Sequence, residues 1–187
     1  VWRSASPGNP RAGFASPIIA TVGVVKQYIN FTSRSVIGVR ASDGRFLWDN
    51  SGSANGTANC SSPLTYKNMI FSASGYGRGG AMLQLTSQDG LTSAKQVYHT
   101  RNMKNHHGGM VILDGYLYGY NDGGGLTCLE LKTGQVAWKN RSVGKGAVAY
   151  ADGHIYLRSE AGAVALGVAS PKRDVERGRL KQPNRRG

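Results

Sequence analysis

A turn signature recurs along this chain at nearly constant spacing, and few folds accommodate that recurrence. Gly44, Gly90 and Gly134 each close an Asp-Gly or Thr-Gly pair, and they lie 46 and 44 residues apart. Ser16-Pro17, Ser62-Pro63 and Gly108-Gly109 advance by 46 residues at each step. Asp114-Gly115 and Asp152-Gly153 add two more such pairs between apolar runs, which is the sequence mark of a tight hairpin. Between the turns stand short runs rich in Val, Ile, Tyr and Leu, such as "MIFSAS", "MVILDGYLYGY" and "AVAYADGHIYLRS". No segment holds a 3.6-residue apolar period over three turns, so the chain reads as all-β. A repeat near 45 residues with four short strands per unit defines propeller blades. Units beginning near residues 14, 60, 106 and 144 predict a partial β-propeller of about four four-stranded antiparallel blades, a single domain over residues 1–187.

Composition narrows the class. Apolar residues make up 40% of the 187, enough for a packed core, and no apolar run is long enough to span a bilayer. The opening "VWRSASPGNP" carries no initiator Met, charged n-region or apolar h-region, so no signal peptide is read within these residues. Cys60 and Cys128 form neither a CxxC pair nor a disulfide framework and are expected as free thiols. Net charge is +13, of which +5 lies in the basic C-terminal strand and tail, residues 171–187. Such a field attracts polyanions nonspecifically, but no basic stripe interleaved with aromatics marks a specific nucleic-acid surface.

"SDGRFLW" and "LELKTGQVAW" both place a Trp, Trp48 and Trp138, four residues after the turn glycine. The second run resembles the tryptophan-docking motif of pyrroloquinoline-quinone-type propellers. The longer stretch "GYLYGYNDGGGLTCLELKTGQVAWKNRSVGKG" is similar to PQQ-binding-like repeat proteins of planctomycete and acidobacterial type. The resemblance implies a propeller truncated relative to the family and a periplasmic or secreted location. It also implies a quinone stacked on adjacent cysteines beside a calcium ion. Cys60 and Cys128 are not adjacent, so pyrroloquinoline quinone is not expected here. Four blades leave two unpaired end faces. A homodimer, or a higher homo-oligomer, completing an eight-blade ring is therefore expected.

The repeat register brings candidate residues to one end of the channel. "ANCSSP" and "KNHHGG" occupy the same loop in neighbouring units, so Asn59, Cys60, Asn105, His106 and His107 converge, with Lys145 from the fourth unit. Second loops contribute Tyr76, Arg78, Asp122 and Glu160. Three functions follow. The first is a binding or scaffold module without chemistry of its own. It takes a small-molecule ligand on Asn59, Asn105, Tyr76, Arg78, Lys145 and Glu160 and needs no cofactor. The second is a small ester or phosphoester hydrolase with His106, His107, Cys60 and Asp122 as catalytic groups, assisted by a divalent metal held by His106 and Asp122. The third is a quinone-dependent alcohol dehydrogenase.

Overall fold

The computed structural model describes residues 1–183; residues 184–187, the end of the basic tail, lie outside it. Sixteen strands form four four-stranded antiparallel sheets, each in sequential order, and there is no helix among the described residues. The first sheet holds β1 (Ile18–Val22), β2 (Val25–Phe31), β3 (Val36–Arg40) and β4 (Phe46–Asn50). The second holds β5 (Leu64–Tyr66), β6 (Met69–Ser74), β7 (Gly79–Gln88) and β8 (Leu91–Thr100). The third holds β9 (Met110–Leu113), β10 (Tyr116–Asn121), β11 (Gly125–Glu130) and β12 (Val136–Asn140). The fourth holds β13 (Gly146–Ala151), β14 (His154–Ser159), β15 (Ala163–Val168) and β16 (Val175–Lys181). β9 touches both β5 and β13, which sets the first strand of each sheet on the inner side of an arc of blades.

The turns explain the strand lengths. Asp89-Gly90, Asp114-Gly115 and Asp152-Gly153 all have positive φ at both residues and close two-residue hairpins. Asp tolerates that conformation and Gly adopts it freely, so the pair fits the right-handed twist of its strands. The β3–β4 and β11–β12 hairpins are wider. Their glycines, Gly44 and Gly134, are left-handed, and their amides bond back to Arg40 and Glu130. The second blade uses the tight turn where its neighbours use the wide one, and this lets β7 and β8 run to ten residues each.

Three apolar layers lie between the blades. Ile29, Phe31 and Trp48 of the first blade meet Ile70, Leu83 and Leu85 of the second. Phe71 and Met82 then meet Leu117 and Leu129, with Met103 from the loop after β8. Tyr118, Leu126 and Cys128 meet Val148, Ile155 and Leu157. Period-2 alternation along β2 and β14 assigns one face to these layers and leaves the other outward. Trp48 needs Gly38 opposite it, because a Cβ there would enter the indole ring, and its Nε1 donates to Gln27 Oε1 at 2.8 Å. Thr92 of the second blade donates to the same oxygen at 3.1 Å, so one buried amide joins two blades.

Candidate functional site

Because the sheets are antiparallel and sequential, the loops entering β5, β9 and β13 lie on the same edge as the β6–β7, β10–β11 and β14–β15 connections. Backbone bonds then tie two of these connections to the entry loop of their own blade. The Asp122 amide donates to Lys104 O at 2.9 Å and the Glu160 amide to Lys145 O at 2.8 Å. A further bond, Val148 N to Gly108 O at 2.9 Å, clamps the third blade's entry loop to β13 of the fourth.

Six side chains meet at this edge. His107 Nε2 lies 2.8 Å from Glu160 Oε1, and Lys145 Nζ lies 3.3 Å from the same oxygen. Lys145 Nζ also reaches His106 Nδ1 at 3.3 Å. Tyr76 approaches His106 edge-on with ring centroids 4.7 Å apart, and the two imidazoles are 4.9 Å apart. Asp122 is brought beside His106 by Gly75: a Cβ on Gly75 would stand 2.7 Å from His106 Cβ and 3.1 Å from Asp122 Oδ2. Gly75 went unnoticed in the sequence; a glycine one residue before Tyr76, in the loop facing the histidines, is the signal it gave.

The electrostatics follow from these contacts. Desolvation pulls the Glu160 carboxyl upward, but Lys145 and His107 outweigh it, and the group sits below its ordinary range. An ammonium has protons to donate and no lone pair to accept. His106 Nδ1 therefore accepts from Lys145, and in the neutral ring the proton resides on Nε2. Glu160, Lys145 and His107 are each at least a third exposed, so the pairs are solvated and rearrange easily.

Other expected site residues do different work. Asn59 and Asn105, expected as ligand contacts, are buried, which takes them out of reach of a ligand. Asn59 Nδ2 donates to Thr32 O, and Asn105 Nδ2 donates to Gly109 O and Tyr120 O. Ser61 bonds to Asn105, bracing the second blade's entry loop against the third's. Arg78, also expected to hold ligand, folds onto the carbonyls of Gly52 and Ser51 at 3.0 and 3.2 Å. Cys60 is half-buried and free, and burial pushes its thiol up, away from the thiolate a nucleophile needs. No group of three or more His, Cys, Asp or Glu is arranged to hold a metal among the described residues. Cys128 is buried in the layer between the third and fourth blades, remote in the fold from the loop of Cys60. The two thiols do not make the paired-sulfur platform that a stacked quinone would need.

Sequential four-stranded antiparallel blades set side by side define a β-propeller. The model of the family described as outer membrane protein assembly factor BamB matches residues 1–140 and again 100–173, and the chain belongs to that family. No curated protein matches the sequence. Among solved structures, BamB from Moraxella catarrhalis superposes with a TM-score of 0.66 at 11% identity, over 96% of this chain and 53% of its own. The computationally designed Ika4 protein matches with a TM-score of 0.63 at 12% identity, over 89% of this chain and 97% of its own. The designed Ika8 protein gives 0.60 at 12% identity, over 83% and 46%. The chain thus spans about half the length of BamB and of Ika8, and nearly all of Ika4.

Proposed function

We propose that the chain is a binding and scaffold propeller, one domain of four blades, whose edge cluster takes a small molecule carrying an acidic group. The observation that carries this is the solvated chain Glu160–Lys145–His106, with His107 on the same carboxylate. An incoming carboxylate or phosphate can replace Glu160 as the partner of Lys145 and find imidazole N–H donors beside it. The same geometry disfavours His106 as a general base, because its Nδ1 faces a cation where a base would have an orienting carboxylate, and Nε2 is a donor. The contacts of Tyr98 and Trp138 with the next blade are read as aromatic docking of the family type. The family's description supports a place in the cell envelope on the periplasmic side.

Titration with a small dicarboxylate and with a phosphate monoester, followed through the His106 and His107 imidazole signals, tests the site. Saturable shifts that vanish in Lys145→Ala are expected. No saturable shift in the native chain overturns the ligand reading. Turnover of an activated ester that disappears in His106→Ala would replace it with the hydrolase.

A further inference from the structure

Lys145 belongs to two neighbourhoods. One is the histidine cluster. The other is a pocket of about 380 Å³ between the β10–β11 connection and the loop entering β13. Asn121, Gly124, Arg141 and Lys145 are among its walls, and no carboxylate of the described residues lines it. The two acids of this edge serve the histidine side instead. Asp122 Oδ2 stands by Gly75 and the stem of His106, and Glu160 pairs with His107.

The backbone explains why two cations share the pocket. The Gly144 amide donates to Arg141 O at 3.0 Å, and Ser142 and Gly144 are both left-handed. That tight turn sets Arg141 and Lys145 at its two ends, on one rim. Arg141 is exposed and has no ion-pair partner among the described residues. Asn121 supplies a fixed donor. It is only 6% exposed, and its Oδ1 accepts from the Lys104 amide at 2.9 Å. That bond fixes the amide orientation, so Nδ2 is the free end. Nδ2 donates to no group among the described residues and lies against Gly124, where a Cβ would stand 2.5 Å from it. A largely buried N–H without an acceptor is costly, and an oxygen arriving in the pocket relieves that cost.

We infer, building on the acidic ligand proposed above, that its acidic group is a phosphate monoester seated in this pocket. Two cations without a lining carboxylate suit the charge of about −1.5 to −2 that such a group carries near neutral pH. A carboxylate brings one charge and two oxygens in a plane. A phosphate brings three free oxygens in a tetrahedral array. Arg141 can hold two of them as a fork, with Lys145 and Asn121 Nδ2 on the third.

Calorimetric titration with phenyl phosphate and with benzoate, which share a ring and differ in the acid, tests this. Phenyl phosphate is expected to bind at least about tenfold more tightly. Arg141→Ala should remove most of that advantage and leave benzoate little changed. Gly124→Ala sets a methyl against Asn121 Nδ2 and should also weaken phenyl phosphate. It serves if Arg141→Ala fails to fold, with circular dichroism as the check. Arg45→Ala, on the β3–β4 turn at the opposite edge, should change neither ligand. Saturable binding of neither compound overturns the acidic-ligand reading and the phosphate pocket together. Binding that is lost in Lys145→Ala but equal for the two compounds, or indifferent to both Arg141→Ala and Gly124→Ala, overturns the phosphate pocket alone. An equal loss in Arg45→Ala does the same, because net charge and not the pocket would then select the phosphate.

Discussion

His106 meets an ammonium at one ring nitrogen, and that decides what the other can do. With Nδ1 accepting from Lys145, the neutral ring carries its proton on Nε2. Nitrogen chemical shifts at neutral to alkaline pH should show an unprotonated Nδ1 in the native chain and a mixture of tautomers in Lys145→Ala. A native ring protonated on Nδ1 would contradict the geometry. The ion pair to His107 is half-exposed, so His107→Ala should cost less than about 1 kcal/mol in unfolding free energy. A large drop in melting temperature would show that the imidazole braces the blades. The thiols give a third check. Burial pushes Cys128 up to about 11, so it should resist labelling at pH 8 until the chain unfolds, while Cys60 should react slowly in the folded state. At this scale the repeat register gathered the right loops, since His106, His107, Lys145, Glu160, Tyr76 and Asp122 do converge. It could not separate facing residues from bracing ones. Asn59 and Asn105 have the composition of a site, but their amides go to the buried carbonyls of Thr32 and Tyr120. Polar type tells where a residue can serve, and only packing tells which partner it takes.

At the scale of the hairpin, the wide turns preceding Trp48 and Trp138 could be read in advance because a fixed count separates turn glycine from tryptophan. Tyr98 escaped because the tight Asp89-Gly90 turn and the longer β7 and β8 move its aromatic to eight residues after the glycine. Trp2 was legible too, since it stands 46 residues before Trp48, one repeat period, but its turn glycine would fall before residue 1. Trp48 is the most buried of the three tryptophans, and its loss should be severe. Trp48→Ala is expected to cost about 3–5 kcal/mol, from lost burial and an unfilled cavity. Urea midpoints would show this, and a loss below about 1 kcal/mol would mean the layer closes over the gap. The β3–β4 turn carries its own titration. Hydrogen bonding to Arg40 lowers the Asp43 carboxyl from 3.8 to about 2. Its folded value is the depressed one, so its stabilisation is complete above pH 3.8 and fades as pH falls towards 2. Carboxyl signals should titrate near 2 in the native chain and near 3.8 in Arg40→Ala. A native midpoint near 3.8 would show the pair is not formed in solution.

For the whole molecule, charge sets the long-range behaviour. The chain carries a net charge of +13, and Arg177, Arg179 and Lys181 stand together on the last strand of the fourth blade. Like charges held on one compact surface repel, and unfolding relieves that repulsion. Screening weakens it, because the Debye length shrinks from about 30 Å at 0.01 M to about 8 Å at 0.15 M ionic strength. The melting temperature should therefore rise as sodium chloride increases over that range. Thermal unfolding at several salt concentrations measures the slope. A melting temperature that falls with salt would mean that exposed ion pairs such as Arg40–Asp43 and Arg179–Glu176 outweigh the net repulsion.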